Sequence, residues 1–500
     1  MKKLALLSVF DKTGIGELAQ FLTQEGWQII SSGGTAQLLK EQGLPVIKVS
    51  DYTDSPEILG GRVKTLHPKI HGGILARREI TSDCEDLLAN NINLIDLVVV
   101  NLYPFQETIR QPGVTLAQGI EQIDIGGPTL LRAGAKNFHY VTVLSDPSQY
   151  GEFIQRRGHT DQEYRQRLAV AAFRQVQAYD QAIADYLAGT STYHLQGEKI
   201  QDLRYGENPH QSATWYKVGT QGWTGAKLLQ GKELSYNNLL DLEAARALIA
   251  EFVAELPTAV IIKHNNPCGV ATAPTLAEAY ERAFNSDSVS AFGGIVALNY
   301  PIVGTVAEAL ISTFLECVVA PDCAPEAQAI LAKKPNLRVL TLPDLTTSPR
   351  QTVRMVAGGF LVQDSDLQPL TTANWQVVTE TAPDPLTLRE LLFAWKICRH
   401  VKSNAIVLSR DLVTVGIGAG QTNRVGAAQL AIQQAGDRAQ GAVLASDGFL
   451  PFADTVRLAG QAGITAIVQP GGSIRDQESI SAANELGISM VFTGTRHFLH

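Results

Sequence analysis

Short apolar runs that end in polar, glycine-rich clusters recur along this chain and constrain its fold more than any other feature. In the N-terminal part, Leu4–Val9 and Trp27–Ile30 are such runs, and Thr35–Gln42 has helical spacing of its apolar residues. The run Leu94–Leu102 is apolar enough to be buried on both faces. Strands alternating with helices predict a doubly wound α/β fold with a parallel sheet. Ligands of such sheets bind at the carboxyl ends of the strands, so the polar clusters are candidate sites.

A long segment without Gly or Pro marks the end of the first domain. Residues 161–187 carry Leu168, Ala172 and Val176 on one helical face, which predicts a single long helix. A Gly-Thr-Ser-Thr stretch follows at 189–192, where a domain boundary is expected. We therefore predict a domain over residues 1–195, with a helical extension at 147–188, and a second domain over residues 196–500.

The second half repeats an apolar run followed by a polar cluster several times. The predicted strands are Thr258–Lys263, Ala405–Leu408, Val413–Ile417, Ala442–Ala445 and Ile464–Val468. A helix is predicted over Leu386–Val401. The repetition is architectural and has no fixed sequence period, and it predicts two related α/β subdomains.

Composition excludes several classes of protein. At 500 residues the chain is too long for one hydrophobic core. A net charge of −8 argues against coating nucleic acid or an anionic membrane, and no apolar run approaches the ~18–20 residues that span a bilayer. The five cysteines are scattered without a CxxC pair, which disfavours a disulfide framework. We expect a cytoplasmic protein with no nucleic-acid or membrane partner.

Two strand ends in the first half have the chemistry of a phosphate site. One carries Ser8 and Lys12, and the other carries Ser32, Gly33 and Thr35, each just before a predicted helix. Backbone N–H groups at a helix N-terminus bind phosphate, and hydroxyls add further donors. Neither segment matches a P-loop or GxGxxG pattern, which disfavours an NTPase or a dehydrogenase. Two ordinary capped turns remain the alternative.

Further candidate residues in the first half supply acid/base groups. The 60–73 loop brings Arg62 and Lys64 together with two histidines, but Pro68 lies between the histidines and HExxH is absent, which disfavours zinc. Tyr103 follows the buried strand, and Asp124 and Lys136 flank a predicted helix. As a group these residues suit dehydrative ring closure better than redox chemistry, although Asp124 alone is typical of a cap.

In the second half, Lys263 and His264 end a buried strand, where an imidazole can act as a general base. A buried structural histidine is an equal alternative. Phe292 and Phe452, with Asp454, offer faces between which a flat heterocycle such as a pterin would fit, unless they are core residues. A zinc deaminase is excluded on ligand count, because Ala271 replaces the second cysteine of PCxxC and no HxE occurs.

Several motifs together resemble one family, the bifunctional purine-biosynthesis enzymes that combine AICAR (phosphoribosylaminoimidazolecarboxamide) formyltransferase with IMP cyclohydrolase. The matching segments span the chain from Ser8 to His500: SVFDKTG, SSGGTA, GRVKTLHPKIHGG, NLYPF, IDIGGPTLLRAGAKN, LRYGENPHQ, KHNNPCG, SAFGGIVALN, GAGQTNR, SDGFLPFADTV and the terminal RHF. The resemblance implies a methylglyoxal-synthase-like N-terminal domain that closes formyl-AICAR to IMP. It also implies a C-terminal pair of zinc-free, cytidine-deaminase-like subdomains that transfer formyl from 10-formyltetrahydrofolate to AICAR.

The resemblance also implies roles for matching residues. Catalytic residues would be Lys64, Tyr103, Asp124 and Lys136 in the cyclisation, and Lys263, His264 and Asn404 in formyl transfer. Substrate would be bound by Ser8, Lys12, Ser32, Gly33, Thr35, Arg62, Arg204, Tyr205, Asn238, Gly293, Glu316, Arg496 and Phe498. Folate would be bound by Phe292, Arg424, Phe452 and Asp454.

The resemblance implies partners as well. Family members are homodimers with the formyl-transfer sites at the interface, and some hold a monovalent cation near the position of Asp447 and the C-terminus. Two alternatives remain open from the residues alone. One is an enzyme in which only one half works, and the other is a nucleotide-binding sensor built on the phosphate cradle.

Overall fold

The computed structural model describes residues 2–189 and 192–500. The chain forms two compact units, Met1–Leu195 and Gln196–His500.

Unit 1 is built on a parallel five-stranded sheet of order β3-β2-β1-β4-β5. Its strands are β1 Leu4–Val9, β2 Gln28–Ser31, β3 Ile47–Lys48, β4 Leu97–Asn101 and β5 Thr142–Leu144. Its helices are α1 Ile15–Gln24, α2 Gly33–Glu41, α3 Val49–Thr53, α4 Pro68–Leu75, α5 Thr81–Ala89, α6 Phe105–Ile109, α7 Leu116–Glu121, α8 Gly126–Lys136, α9 Tyr150–Gln155 and α10 Gln162–Ala188. The sheet confirms the doubly wound α/β fold predicted from the apolar runs.

Burial explains why β4 lies inside the sheet of unit 1, between β1 and β5. All five of its residues are buried, and helices cover both faces of the sheet. The predicted run Leu94–Leu102 begins before β4 does. Ahead of β4, Ile95 N donates to Gly73 O (2.9 Å), and the Asp96 carboxylate accepts from Leu4 N (3.0 Å). An apolar run indicates which residues are buried, and the buried stretch of chain is longer than the strand.

Unit 2 contains a twelve-stranded mixed sheet of order β16-β21-β20-β19-β17-β18-β10-β9-β11-β12-β13-β8 and two separate hairpins, β6–β7 and β14–β15. Its strands are β6 Glu198–Leu203, β7 Ala213–Lys217, β8 Lys227–Gln230, β9 Thr258–Lys263, β10 Asn266–Thr272, β11 Ile295–Leu298, β12 Cys317–Ala320, β13 Arg338–Thr341, β14 Gln351–Val356, β15 Gly359–Asp364, β16 Gln376–Val377, β17 Ile406–Arg410, β18 Val413–Gly418, β19 Val443–Ser446, β20 Ala466–Gln469 and β21 Ser489–Phe492. Its helices are α11 Tyr236–Ile249, α12 Leu276–Ser286, α13 Ser288–Ala291, α14 Gly304–Ile311, α15 Pro325–Leu331, α16 Pro385–Cys398, α17 Arg424–Ala435, α18 Ala453–Gln461 and α19 Asp476–Glu485.

The large sheet consists of two copies of one arrangement, as predicted. In each copy a helix leads into an antiparallel hairpin, and three parallel strands follow with helices between them. The copies begin at α11 and α16, and their hairpins β9–β10 and β17–β18 meet through the antiparallel pair Ala271↔Val413. One apolar cluster, containing α11 and α16 residues, is common to both copies, and a separate cluster belongs to each.

The two hairpins share a tight two-residue turn. His264 and Asn265 have φ of 51° and 61°, and Asp411 and Leu412 have φ of 56° each. Two successive positive φ values are those of a type I′ turn, which matches the twist of the flanking strands. His264 therefore lies at the tip of a hairpin, in backbone geometry that histidine adopts less readily than Asn or Gly.

Matching glycines hold each hairpin against the helix that follows it. A Cβ on Gly269 would overlap the carbonyl oxygen of Ala283 in α12, and a Cβ on Gly416 would overlap that of Ala431 in α17. We expect Gly269→Ala and Gly416→Ala each to lower the free energy of unfolding by about 1–3 kcal/mol, because backbone must move to make room. Gly304→Ala is the control, since its Cβ would meet only ordinary contacts at 3.6 Å. Urea unfolding of the three variants checks this, and equal effects at all three positions would contradict it.

Strand directions bring many loop residues to one edge of the large sheet. β9 and β18 end there, β10 and β17 begin there, β11, β12 and β13 begin there, and β19, β20 and β21 end there. We call this edge, which contains the turn at 264–265, the hairpin edge.

Candidate active sites

In unit 1 the two predicted phosphate segments come together. Ser8 Oγ lies 3.4 Å from Ser32 Oγ, which joins the ends of β1 and β2. Thr35, in the first turn of α2, accepts from Val9 N (3.2 Å) and donates to Val9 O (2.9 Å). Gly33 opens α2 with φ of 51° and is exposed. The N-terminus of α2 therefore faces outward beside hydroxyls, the arrangement that suits an anion.

The loop after β1 is stabilised by its own polar groups. Lys12 Nζ donates to the carbonyl oxygens of Val9 and Phe10, and burial lowers the pKa of Lys12. Asn101 Oδ1 accepts from Phe10 N (2.6 Å) and Asp11 N (2.9 Å). Asn101 shapes this loop although sequence analysis did not select it. Its place directly at the end of a fully buried strand was the available signal.

The 57–65 segment brings a cation to the anion site. Lys64 Nζ is 3.6 Å from Glu57 Oε2, and a Cβ on Gly33 would lie 3.4 Å from the same nitrogen. Thr65 Oγ1 lies close to Gly126 at the start of α8, 3.0 Å from the position of a Cβ there. A cavity of about 740 Å³ is lined by residues 31–33, 36, 37, 40, 41, 48–50, 56 and 57. Arg62 instead pairs with Glu121 at 2.6 Å on the surface.

A carboxylate and a phenol lie at the start of α8. Asp124 Oδ1 accepts from Gly127 N (2.9 Å), and Asp124 N donates to Tyr179 Oη (2.8 Å). Burial raises the pKa of Asp124, although N–H groups of Gly127, Tyr103 and Gly126 offset part of the rise. Tyr103 is 42% exposed, so its hydroxyl can reach a ligand while its N–H faces Asp124.

The structure does not bring Lys136 to this cluster. Lys136 is the last residue of α8, whereas Asp124 lies just before its first residue. At 1.5 Å per residue these ends are about 16 Å apart, and Lys136 is exposed. The catalytic role of Lys136 is implied by the resemblance and stays a prediction, and within one protomer the rise along α8 separates Lys136 from Asp124. The candidate site formed by Asp124, Lys64 and Tyr103 does not depend on Lys136.

At the hairpin edge, Lys263 and His264 have defined surroundings. Lys263 Nζ donates to the carbonyl oxygens of Phe292 and Gly293, both at 3.1 Å. Asp241 of α11 holds the turn in place, because its Oδ1 accepts from Asn265 N (2.6 Å). Burial raises the pKa of Asp241, and the hydrogen bond from Asn265 N offsets part of the rise. Asp241 orients the turn, and sequence analysis missed it because the contact is tertiary.

Other predicted residues surround this turn. Gly293 has φ of 68°, and a Cβ there would lie 3.3 Å from Lys263 Nζ, so a side chain would crowd the lysine. Glu316 pairs with Arg338 at 2.9 Å where β12 and β13 begin. Asn238 is buried in the capping box of α11, where its Oδ1 accepts from Ser235 N. We call Asn238, Asp241, Lys263, His264, Phe292, Gly293 and Glu316 cluster A.

A second group lies farther along the same edge. Asn404 Nδ2 donates to Gln421 O (2.8 Å) at the start of β17. Arg424 pairs with the fully buried Asp447 at 3.1 Å, and its guanidinium lies 5.6 Å from the centre of the Phe498 ring. Arg496 lies over that ring at 4.7 Å. We call Asn404, Arg424, Phe452, Asp454, Arg496 and Phe498 cluster B.

The two predicted aromatic faces are not neighbours in one chain. Phe292 precedes β11 and Phe452 follows β19, and these strands are five positions apart in the sheet. At 4.7–4.9 Å per position the separation is about 24 Å, too wide for one pterin. The expected slot between them was therefore wrong for a single chain, because sequence analysis had no strand order. Phe452 lies instead against Arg475, at 4.8 Å.

The segment with Arg204 and Tyr205 lies in the loop of the β6–β7 hairpin. The Arg204 guanidinium is 5.5 Å from the Tyr205 ring, and Asn237 of α11 donates to Glu207 O (3.3 Å). The loop is thus tied to the start of α11, near cluster A, while Arg204 itself is exposed.

The chain was compared with known proteins. The family description "AICARFT/IMPCHase bienzyme" matches residues 134–434, and "MGS-like domain" matches residues 14–129. The "Bifunctional purine biosynthesis protein PurH" of Trichormus variabilis is 63% identical, and that of a Synechocystis species is 62% identical, each over 100% of both chains. The chain belongs to the PurH family. The "Crystal structure of ForH" is 39% identical and covers 38% of this chain and 100% of its own, but its TM-score of 0.34 supports no conclusion.

Membership of the PurH family confirms the function expected from the motifs. The chain is a bifunctional enzyme with AICAR formyltransferase and IMP cyclohydrolase activities, which together complete IMP synthesis with a formyl-folate cosubstrate. The MGS-like match covers the parallel sheet that contains the phosphate cradle. The sensor alternative is thereby rejected.

Two further properties bear on these sites. Among residues 2–189 and 192–500, no group of three or more His, Cys, Asp and Glu side chains is placed to hold a metal ion. Within the same residues, no helix is both long enough and apolar enough to cross a membrane.

Proposed function

We propose that unit 1 closes formyl-AICAR to IMP and that the hairpin edge of unit 2 transfers the formyl group from 10-formyltetrahydrofolate to AICAR. The observation that carries this assignment is the grouping of residues. The anion cradle with Lys64, Tyr103 and Asp124 lies in unit 1, and clusters A and B lie on one edge of unit 2.

In formyl transfer, His264 serves as the general base. The AICAR amine attacks the formyl carbon, His264 accepts the amine proton, and the bond from that carbon to N10 of the folate breaks as N10 is protonated. The amine is a weak nucleophile because its electrons delocalise into the ring. Lys263, held by two carbonyl oxygens, fixes the end of the strand beside His264.

In the cyclisation, the carboxamide nitrogen attacks the formyl carbon and water leaves. The phosphate binds at the N-terminus of α2 beside Ser8, Ser32 and Thr35. Lys64 stabilises negative charge on the formyl oxygen, and Tyr103 and Asp124 hold and move protons around the leaving oxygen.

We also propose that the protein acts as a homodimer in which cluster A of one protomer and cluster B of its partner enclose one pair of substrates. Phe292 and Phe452, both expected at the folate, adjoin strands five positions apart, about 24 Å, too far to hold one pterin within a single chain. The β14–β15 hairpin supports a second copy too. Nearly all its residues are exposed, including Met355 at 75% and Leu361 at 61%, and isolated two-stranded hairpins are marginally stable.

The proposal needs no zinc and places the enzyme in the cytoplasm. The nearest thiol to the hairpin, Cys268, is buried, and burial raises its pKa to about 12, which disfavours the thiolate that zinc requires. All five cysteines are unpaired, as expected in a reducing compartment. Asp447 already accepts from Ser403 and Arg424, so a monovalent cation there is not part of the proposal.

Mixing two variants, each defective in formyl transfer at sub-saturating AICAR, tests the shared site. His264→Asn removes the base of cluster A, and Arg496→Ala removes a cation of cluster B. If the site is shared between protomers, random re-pairing of subunits recovers about a quarter of the wild-type formyl transfer, because half the dimers are mixed and each has one intact site. Formyl transfer is measured after mixing at a concentration that allows subunit exchange. A variant carrying both substitutions, mixed with wild type, is the control. No recovery despite proven exchange would contradict the shared site.

A further inference from the structure

Near the end of the chain one buried residue lies between two exposed ones. His497 is 3% exposed, whereas Phe498 is 41% exposed and Arg496 is exposed as well. Side chains of an extended segment alternate in direction, so a buried His497 turns both of its neighbours outward. We call residues 494–500 the C-terminal strap.

A carboxylate fixes the buried histidine in place. His497 Nδ1 lies 2.5 Å from Asp366 Oδ2, and a carboxylate only accepts, so Nδ1 carries the hydrogen. Asp366 also pairs with the guanidinium of Arg399 at 2.9 Å, and the Trp395 ring packs edge to face with the imidazole, their centres 5.4 Å apart. Burial raises the pKa of Asp366, but the hydrogen bond from His497 and the charges of Arg399 and His497 lower it further, so the carboxylate stays ionised.

Several other strap contacts use the main chain. His497 N donates to Asp447 O (3.3 Å), Leu499 N donates to Ser403 Oγ (3.2 Å), and Lys402 Nζ donates to His500 O (2.7 Å). These contacts fix where the strap runs along the hairpin edge. Within residues 494–500, His497 has the one side chain that is fully buried.

We propose that His497, held by Asp366, is a positioning residue that sets Arg496 and Phe498 for AICAR binding in formyl transfer. This inference rests on the proposed role of the strap in that step. When the anchor is lost, the strap samples other arrangements, and the apparent affinity for AICAR falls with the fraction that is correctly placed. Neither His497 nor Asp366 touches the reacting atoms, so turnover at saturation is retained.

The test compares KM with kcat in a matched set of variants. His497→Leu removes the donor, and we expect the KM for AICAR to rise about tenfold to a hundredfold, the range for losing a charge-assisted buried hydrogen bond. The kcat should stay within about threefold, and His497→Asn, which keeps a donor, should recover most of the loss. Asp366→Asn offers a second variant if His497→Leu does not fold, because Arg399 keeps Glu251 as a partner at 3.2 Å.

His400→Leu is the matched control. His400 Nε2 pairs with Glu251 Oε1 at 3.1 Å in the same ionic network, and its side chain pairs with Glu251 and not with a strap residue. Its KM should stay within about twofold of wild type. Equal increases in KM for His400→Leu and His497→Leu would overturn the inference.

Arg496→Ala separates the inference from the proposed function. If Arg496→Ala raises the KM for AICAR and His497→Leu does not, the positioning role is wrong while the strap still binds AICAR. If Arg496→Ala leaves KM unchanged, the strap does not bind AICAR and both statements fail. Cyclisation of purified formyl-AICAR, which the inference leaves unaffected, is measured on every variant as a check of the whole chain.

Discussion

His264→Asn should reduce kcat of formyl transfer by about 10²–10⁴-fold, the contribution typical of a positioned general base. The same variant should still close formyl-AICAR to IMP at the wild-type rate, because the cyclisation residues lie in unit 1. Asparagine is preferred to alanine here, since His264 has φ of 51° and Asn tolerates that geometry. The amide cannot accept a proton, so the base is lost while the turn is kept.

The repeat provides a control for this substitution. Asp411 occupies the equivalent turn of the β17–β18 hairpin, with φ of 56°, at the opposite edge of the sheet. Asp411→Asn should leave both activities within about twofold, because it alters an exposed charge in the same turn type. The measurements are tetrahydrofolate release with AICAR present, and IMP formation from purified formyl-AICAR. Loss of both steps in His264→Asn would refute the assignment of His264 to one unit.

Elements whose local signals agree were predicted closely. Strand Thr258–Lys263 matches β9 at both ends, because a fully buried run stops at a charged residue. The predicted helix Leu386–Val401 corresponds to α16, Pro385–Cys398, which ends three residues earlier than predicted and begins one residue earlier, because Asp384 caps it and Pro385 occupies its first position. Predicted strand Trp27–Ile30 is shifted by one residue against β2.

The sequence could not give the distances in space between the predicted site residues. Lys136 was expected in the cyclisation site from the resemblance, and the helix rise separates it from Asp124 within one chain. Phe292 and Phe452 were expected to face each other, and only the strand order separates them. Asp241 and Asp366 went unnoticed, since their partners Asn265 and His497 lie 24 and 131 positions away. Motifs identify which chemistry is present, and tertiary contacts decide which residues perform it together.

Asp124→Asn should reduce the rate of cyclisation by about 10²–10³-fold and cause formyl-AICAR to accumulate when AICAR and 10-formyltetrahydrofolate are supplied. The amide keeps an acceptor for Gly127 N, so α8 keeps its start, but it cannot exchange a proton with the leaving oxygen. Formyl transfer, in unit 2, should continue at the wild-type rate.

Stability distinguishes this loss from unfolding. Burial raises the pKa of Asp124 in the folded chain, so the group costs stability above that pKa, and the cost disappears as pH falls towards the unfolded value of 3.8. At neutral pH, Asp124→Asn removes a poorly solvated charge, and the melting temperature should therefore not fall by more than about 2–4 °C, the shift that 1 kcal/mol produces in a domain of this size.

Gly127→Ala is the matched structural variant, because its Cβ would overlap the Asp124 carboxylate and displace it with the charge intact. We expect it to lose cyclisation as well, but with a lower melting temperature. Full cyclisation by Asp124→Asn would show that the carboxylate only caps α8, and that Lys64 and Tyr103 suffice for ring closure.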